Sequence, residues 1–177
     1  MKLKFSDMLS DLDRVRDEME SDNVDIGLVA HVGNTTEKLG SYFANSFDSK
    51  LIYLPSMNRK GKNQNLANRL NALYAHLPEF VLKPLSHLYR NLYRISEWEF
   101  PEDFDNEELT QYRGESSILV VDDNSYTGNT LGSWKQKISE LMPNDVITFS
   151  VTVTGSYRPD YHCFEGWRSF EWRRIGI

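Results

Sequence analysis

The chain has 177 residues, of which 40% are hydrophobic and 12% aromatic, and its 26 acidic and 20 basic residues give a formal net charge of −6. This composition excludes general disorder, and the acidic balance excludes a global attraction to nucleic acid or to anionic membranes. The single cysteine, Cys163, excludes an intrachain disulfide and a cysteine-rich zinc site.

The first third of the chain alternates helical and extended patterns. Apolar residues recur at helical spacing over residues 5–19, with Ser6 as the candidate N-cap. The stretch 24–32, VDIGLVAHV, predicts a buried strand, and the threonine pair 35–36 can cap the helix that follows. Residues 50–54, KLIYL, predict a second strand. This alternation favours a parallel α/β sheet.

The middle of the chain breaks this alternation. The basic segment SMNRKGKNQN, residues 56–65, is typical of a mobile loop. Leucines and tyrosines at helical spacing then predict two helices within 64–95, and the stretch 97–115 is acidic and irregular. We interpret residues 64–115 as a mainly helical insertion on one α/β core.

The α/β alternation resumes in the last third. We predict a strand over 117–122, a helix from about Thr130 to Leu141 and a final strand over 145–155. The whole chain, 1–177, is therefore expected to form a single α/β domain, a parallel sheet flanked by helices. No apolar run approaches the roughly 20 residues that span a bilayer, and the N-terminus lacks a signal peptide, so we expect a cytoplasmic protein that binds no membrane.

One stretch, ILVVDDNSYTGNTL at residues 118–131, combines an apolar strand, two acids and a small polar turn. In open α/β sheets ligands bind beyond the carboxyl ends of the strands. Adjacent carboxylates resist burial and are tolerated where they face hydroxyls, a metal or water. Gly128 lets backbone amides turn inward, and the start of the following helix favours an anion. A ribose 5-phosphate carries both a diol and an anion.

This stretch resembles the motif with which type I phosphoribosyltransferases bind phosphoribosyl pyrophosphate (PRPP): four apolar residues, two acids, a spacer and Thr-Gly-x-Thr. The resemblance implies that Asp122 and Asp123 are the catalytic acids, that they hold the ribose hydroxyls, and that they bind Mg²⁺ directly or through water. It implies that the 5-phosphate is bound by Ser125, Tyr126, Thr127, Gly128, Asn129 and Thr130.

The same resemblance assigns roles elsewhere in the chain. A loop after an early strand would bind the pyrophosphate, together with basic residues after the next strand: His31, Val32, Gly33, Asn34, Arg59 and Lys60. The tail 156–177 would form a small hood over the base, with the aromatic residues Trp167, Phe170 and Trp172 available for stacking. Relatives commonly dimerise, which leaves a homodimer open.

The implied function is a Mg²⁺-dependent phosphoribosyltransferase of nucleotide metabolism. It would transfer the phosphoribosyl group to a nitrogenous base and release pyrophosphate. The alternative is a non-catalytic regulator that binds PRPP or a nucleotide, or an accessory subunit with the same fold. Tyr126 motivates the alternative, because purine-salvage members carry an aspartate just before the Thr-Gly.

Two other interpretations of the acid pair remain. A receiver domain of two-component signalling can begin with the same apolar run and acids, but it needs a later strand that ends in the phospho-accepting aspartate. The sequence after Asp123 predicts no such strand. Alternatively, the acids merely cap a turn and bind nothing.

Overall fold

The structure, a computed structural model, describes residues 2–59, 98–101, 104, 106–114, 116–125, 127–166 and 168–170. In chain order the described strands and helices are β1 (Lys2–Leu3), α1 (Leu9–Ser21), β2 (Ile26–Val32), α2 (Glu37–Ser46), β3 (Lys50–Leu54), β4 (Asn58–Arg59), β5 (Trp98–Glu99), α3 (Asn106–Thr110), β6 (Ser117–Ser125), α4 (Asn129–Leu141), β7 (Val146–Val153), β8 (Tyr161–Glu165) and β9 (Ser169–Phe170).

The chain divides into two compact units. The larger unit joins Met1–Ser56 to Asp103–Ile177, and the smaller unit is Met57–Glu102. Within the smaller unit, β4 and β5 form a short antiparallel pair, with Arg59 opposite Trp98. The predicted helices within 64–95 lie outside the described residues. Among the described residues, no helix is long and apolar enough to cross a membrane.

A parallel sheet forms the centre of the larger unit. Its strand order is β3-β2-β6-β7-β8, and every neighbouring pair is parallel. The central strand β6 is buried from Ile118 to Val121, as expected for a strand with both faces covered. The predicted fold class, a parallel α/β sheet flanked by helices, is confirmed.

Helices α1 and α2 contribute to the main hydrophobic core on one face of this sheet. Their apolar residues recur every three or four positions, so that each helix buries one stripe. The core includes Leu12, Val15, Met19, Leu39, Phe43, Val29, Leu119, Val121, Phe149 and Val151. The rings of Phe43 and Phe149 meet edge to face, with centroids 4.8 Å apart. Burial of this kind contributes about 1.5–3 kcal/mol per large apolar side chain.

Helix α4 contacts β6 and β7. Its buried residues, Leu131, Trp134 and Ile138, are not members of the core formed with α1 and α2. Because side chains alternate between the two faces of a strand, α4 covers the opposite face. This arrangement places the start of α4 beside the carboxyl ends of the two central strands.

The structure corrects the predicted start of the chain. Residues Phe5–Met8 form a 3₁₀ turn ahead of α1, so Ser6 lies inside a turn and does not cap the helix. Thr36 does occupy the N-cap position of α2, but its hydroxyl donates to the carbonyl oxygen of Val32 at 2.7 Å instead of to a helix amide. Both predictions placed the start of the helix to within a few residues. Both were wrong about the capping contact.

The structure also corrects four of the predicted elements. The segment expected to be a mobile loop contains β4, and the stretch expected to be irregular contains α3. Strand β6 continues through the two aspartates to Ser125 instead of ending at them. Residues 161–165, expected in the hood, form the edge strand β8 of the main sheet. The sequence YHCFE lacks a long apolar run, which is why the strand escaped notice.

Candidate functional site

The candidate site lies where β6 extends beyond its neighbour β2. The pairing with β2 ends at Val121, opposite His31, whereas pairing with β7 continues to Ser125. Asp122 and Asp123 therefore lie past the last residue pair that β6 forms with β2 and still within the sheet. A turn at Asn34–Thr36 contacts β6 at this edge. The predicted ribose residues and the predicted pyrophosphate loop are thus neighbours.

The two carboxylates leave the strand on opposite faces, because successive side chains alternate. Asp122 is partly exposed, whereas Asp123 is only 3% exposed and shares its face with Val121. The carboxylate of Asp122 also accepts a hydrogen bond from the backbone N–H of Asp123 at 2.7 Å. Because the two carboxylates lie on opposite faces of the strand, the repulsion between their charges is weaker than their adjacent positions in the sequence suggest.

Gly128 shapes the turn between β6 and α4. It has a φ of 75° and occupies the N-cap of α4 in the left-handed region, which costs other residues about 1–2 kcal/mol. Because its N-cap residue is a glycine, α4 has no side-chain cap from that position, and its first amides have no partner within the helix. Thr127 accepts a long hydrogen bond from Asn129 N–H at 3.4 Å. Backbone amides with this arrangement suit an anion.

Tyr157 packs directly against this turn. A Cβ added to Gly128 would overlap the Tyr157 ring, and one added to Gly132 would lie 3.5 Å from the same ring. The segment that carries Tyr157 is fastened to the sheet and the helix by Asp160, which accepts hydrogen bonds of 2.8 Å from Lys135 and from the backbone of Thr148. Sequence reasoning missed Tyr157; the available signal was a pair of glycines four residues apart, Gly128 at the N-cap of α4 and Gly132 within it.

Ser125 ends β6 with a buried hydroxyl that has no hydrogen-bond partner in the part of the chain that the structure describes. The residue is 2% exposed, and its Oγ is one of the buried polar atoms without a partner among the described residues. An unpaired buried polar group costs about 1–3 kcal/mol. It lies on the same strand face as Asp123, directly before the turn that the resemblance assigns to the 5-phosphate.

The turn after β2 is held in place by contacts with its own residues and with residues of β2 and β3. Gly33, with a φ of 70°, donates its N–H to Leu54 O at 2.8 Å. Its carbonyl oxygen lies 3.1 Å from Thr36 Oγ1, whose proton goes to Val32 O at 2.7 Å, and 3.1 Å from His31 Nδ1. The imidazole of His31 is 6% exposed, and its burial lowers the pKa of the ring below 6.5. The buried His31 side chain therefore helps to hold the turn after β2 in its conformation. Val32 is buried as well.

Several predicted site residues cannot be placed further. Tyr126, Lys60, Trp167 and Trp172 lie outside the described residues, and for Arg59 only the backbone is described, in β4. Phe170 corrects the stacking prediction. It is 2% exposed and belongs to the main core, because β9 pairs with β1 and brings this ring inward.

A polar network on the face opposite Asp123 was not predicted. Asn124 Oδ1 accepts hydrogen bonds from Thr152 Oγ1 at 2.9 Å and from Thr154 Oγ1 at 3.2 Å. The register of β6 and β7 places Asn124 opposite Thr152. The alternation of threonine and valine in VTVTG was the signal, since it puts every threonine of the strand end on one face.

The oxygen donors at the end of β6 suit a magnesium ion that takes most of its ligands from water and from a bound substrate. Among the described residues, no three His, Cys, Asp or Glu side chains are grouped to hold a metal. Mg²⁺ usually binds one or two carboxylates and fills its other positions with water and substrate phosphates. Asp122, the partly exposed carboxylate at the end of β6, supplies a hard oxygen donor of this kind.

Comparison with solved structures identifies the fold. The chain is similar to a purine phosphoribosyltransferase from Pyrococcus horikoshii, with a TM-score of 0.62 and 14% identity over 97% of this chain and 92% of that protein. It is similar to the xanthine-guanine-hypoxanthine phosphoribosyltransferase of Helicobacter pylori, with a TM-score of 0.57 and 13% identity over 97% and 93% of the two chains. The resemblance to the type I phosphoribosyltransferases is thereby confirmed at the level of the fold.

A third solved structure contains a bound nucleotide. A hypothetical protein from Neisseria gonorrhoeae, solved with bound ppGpp, matches with a TM-score of 0.58 and 10% identity over 100% of this chain and 93% of that one. No family model matches the sequence, and no curated protein is significantly similar to it.

Proposed function

We propose that this protein is a Mg²⁺-dependent phosphoribosyltransferase that moves the 5-phosphoribosyl group of PRPP to a nitrogenous base. One observation carries the proposal: a strand with two carboxylates continues past its pairing with β2 and leads through a left-handed glycine, Gly128, into a helix. This arrangement offers acceptors for a ribose diol and amide donors for a phosphate a few residues apart. The fold shared with phosphoribosyltransferases supports the same assignment.

In the proposed reaction a ring nitrogen of the base attacks C1 of the ribose. The bond from C1 to the pyrophosphate oxygen breaks, its electron pair leaves with pyrophosphate, and the proton of the attacking nitrogen passes to solvent. Positive charge develops on the ribose, and Asp122 and Asp123 would hold the ring through its hydroxyls and stabilise that charge. Mg²⁺, when bound, would neutralise charge on the leaving pyrophosphate.

The chain's other groups would position the two ends of PRPP. The 5-phosphate would accept hydrogen bonds from the turn Ser125–Thr130, including the hydroxyls of Thr127 and Thr130. The pyrophosphate would accept from the amides of Asn34 and its neighbours, with Arg59 and Lys60 as basic partners. Trp167 and Trp172 would stack on the base. Holding both reactants in line lowers the entropic part of the barrier. We place this activity in the cytoplasm, and a homodimer remains open.

Calorimetric titration of PRPP, with and without Mg²⁺, tests the binding half of the proposal. We expect Mg²⁺-dependent binding by the wild type and a loss of at least about 10-fold in the double variant Asp122→Asn with Asp123→Asn, since hydrogen bonds to charged groups contribute about 1.5–3 kcal/mol. Asp145→Asn, an exposed aspartate before β7, is the matched control and should bind normally. Absence of wild-type binding at millimolar PRPP would overturn the proposal.

The second candidate is a non-catalytic regulator that binds a nucleotide in the same site. Two observations favour it: the structural similarity to a protein with bound ppGpp, and a tyrosine, Tyr126, directly before the Thr-Gly. Release of pyrophosphate from PRPP in the presence of a panel of purine and pyrimidine bases separates the two. Turnover with any base supports the transferase. Binding of PRPP or ppGpp without turnover supports the regulator.

A further inference from the structure

The phosphate turn, residues 125–130, has little rigidity of its own. Gly128 is the N-cap of α4 and Gly132 follows one helical turn later, and glycine adopts more backbone conformations than other residues. The first backbone hydrogen bond of the helix joins Gly132 N–H to Gly128 O at 2.6 Å, so both of its ends are glycines. The hydrogen bond from Asn129 N–H to Thr127 Oγ1 is long, at 3.4 Å. The conformation of the turn therefore depends on contacts that come from outside it.

The ring of Tyr157 supplies such a contact. A Cβ added to Gly128 would lie 2.1 Å from Tyr157 Cγ and Cδ2, and one added to Gly132 would lie 3.5 Å from Cε2. The ring therefore runs along the side of the first helical turn, with its Cγ end at Gly128. Because the hydroxyl is attached opposite Cγ, it lies at the end of the ring that is away from Gly128. The ring can thus hold the turn in shape, whereas its hydroxyl is not placed to bind a phosphate there.

Hydrogen bonds on both sides of Tyr157 hold its segment to the sheet and to α4. Before it, Thr154 N–H donates to Ser125 O at 2.9 Å. After it, Asp160 accepts from the backbone of β7 and from Lys135 Nζ, each at 2.8 Å. Ser125 ends the strand that leads into the phosphate turn, and Lys135 lies on the helix that follows it. The ring is therefore anchored to the two elements that the turn connects.

We propose that Tyr157 is a positioning residue for the 5-phosphate: its ring, packed on Gly128 and Gly132, holds the amides of residues 127–131 in the orientation that binds a phosphate. This inference rests on the proposed function, because it assumes that these amides receive the 5-phosphate. Binding is tighter when the binding groups are already ordered in the free protein. The packing of Tyr157 supplies that order before the ligand arrives.

Four variants separate the ring from its hydroxyl and binding from folding. Tyr157→Ala removes the ring, Tyr157→Leu leaves a smaller apolar side chain, and Tyr157→Phe removes only the hydroxyl. Gly132→Ala is the matched control, because its added Cβ would make an ordinary contact of 3.5 Å with the ring. Circular dichroism and thermal melts establish that each variant folds, and Tyr157→Leu takes the place of Tyr157→Ala if the alanine variant does not fold.

The experiment is calorimetric titration of ribose 5-phosphate into the wild type and the four variants. In Tyr157→Ala we expect affinity to fall about 5- to 10-fold, which corresponds to a turn that is competent to bind in about 10–20% of the molecules. Tyr157→Leu should lose about 3-fold, because a smaller side chain restrains the turn less. Tyr157→Phe and Gly132→Ala should bind within about 2-fold of the wild type, because both keep the ring on the turn.

Amide hydrogen exchange of the free proteins separates local positioning from general loosening. The N–H of Gly132 donates to Gly128 O in the first turn of α4, and the N–H of Gly33 donates to Leu54 O in the turn after β2. We expect Tyr157→Ala to speed exchange at Gly132 and to leave exchange at Gly33 unchanged, and Tyr157→Phe to restore the wild-type rate at Gly132. Faster exchange at both glycines would indicate general loosening and would overturn the positioning role.

Two results of the titration would also overturn the role of Tyr157. One is wild-type affinity for ribose 5-phosphate in a folded protein that lacks the ring. The other is a loss in Tyr157→Phe as large as the loss in Tyr157→Ala, because the hydroxyl would then be the group that acts. Absence of ribose 5-phosphate binding by the wild type would instead overturn the proposed function itself, and the inference with it.

Discussion

Two strand-to-helix turns lie at the same edge of the sheet, one after β2 and one after β6. Each contains a glycine with a positive φ, 70° for Gly33 and 75° for Gly128, at the cap of a helical turn without a side-chain cap. The strands that lead into them are neighbours. The local geometry of the two turns is therefore similar.

The surroundings of the two turns differ. The turn at Gly33 uses its own groups: Leu54, His31 and Thr36 contact the N–H or the carbonyl oxygen of the glycine. The turn at Gly128 is preceded by the unpartnered hydroxyl of Ser125 and is covered by the ring of Tyr157. Buried polar groups are normally satisfied. The second turn therefore follows a buried polar group without a partner among the described residues, whereas the polar groups of the first turn contact one another.

The largest expected effect comes from placing a methyl group on each glycine. Gly128→Ala should cost about 2–4 kcal/mol of unfolding free energy, the sum of overpacking against Tyr157 and left-handed strain. Gly33→Ala should cost about 1–2 kcal/mol, the strain of the left-handed residue alone. Its added Cβ would lie 2.5 Å from Ser56 Oγ, but that atom ends a side chain that can rotate away. Denaturant unfolding measures both.

The double variant Gly128→Ala with Tyr157→Ala sharpens this comparison. Removing the ring should recover the overpacking part of the loss and leave the strain of the left-handed residue. Two results would show that the contact between Tyr157 and Gly128 does not distinguish the two turns. One is an equal loss of stability in Gly128→Ala and Gly33→Ala, and the other is a double variant that recovers no stability.

The next effect concerns the segment that holds Tyr157 over the second turn. Asp160→Ala should destabilise the protein by about 1–3 kcal/mol, because it leaves the amide of Thr148 without its partner. Burial acts to raise the pKa of Asp160, but hydrogen bonds from Lys135 and Thr148 hold it below 3.8. The contribution of Asp160 is therefore present above that pH and declines as the pH falls through the lower, folded-state pKa. Unfolding measured from pH 7 to pH 2 should show a smaller slope in the variant, and an identical slope would contradict the assignment.

A third effect belongs to the first turn alone. Burial lowers the pKa of His31 below 6.5, against the opposing effects of the Gly33 carbonyl and Glu37. As the pH falls below 6.5, the unfolded chain takes up the proton before the folded chain does, so the free energy of unfolding should decrease. His31→Gln keeps a polar group and removes the proton, and it should reduce this decrease. The test is unfolding by denaturant between pH 8 and pH 5, and a variant with the wild-type slope would show that His31 is not the group responsible.

The smallest effect is expected for Lys135→Met. Its ion pair with Asp160 spans 2.8 Å, but both side chains are about 40% exposed, and exposed pairs contribute about 0–1 kcal/mol. A loss near that of Asp160→Ala would mean that the ion pair, and not the Thr148 hydrogen bond, fastens the segment.

The sequence predicted most of the fold because apolar periodicity determines which elements form. The strand at residues 50–54 was placed to the residue, and the helix that begins after Gly128 to within one residue. The strand Tyr161–Glu165 was missed because its five residues show no alternation, and the strand forms through its pairing with β7. The core position of Phe170 likewise depends on pairing between the two ends of the chain, which a local pattern does not reveal.

The candidate site was predictable in part. The acid pair, Gly128 and the start of α4 form one continuous motif, so the sequence located them together. Because β6 continues to Ser125, Asp122 and Asp123 lie on opposite faces of a strand. The sequence did not predict this continuation, because the polar residues Asn124 and Ser125 are typical of a turn. The contacts of Asn124 with Thr152 and of Gly128 with Tyr157 join residues about 30 positions apart, and only the sheet register brings them together.

The contrast between the two turns can be measured directly by nuclear magnetic resonance of the ¹⁵N-labelled protein, titrated first with ribose 5-phosphate and then with PRPP and Mg²⁺. We expect ribose 5-phosphate to shift the backbone amides of residues 127–131 and to leave Gly33, Asn34 and Thr35 unchanged. PRPP should shift both sets, because only PRPP carries a pyrophosphate. If neither ligand shifted the amides of residues 127–131, the turn after β6 would not be a phosphate site, and the central claim would be wrong.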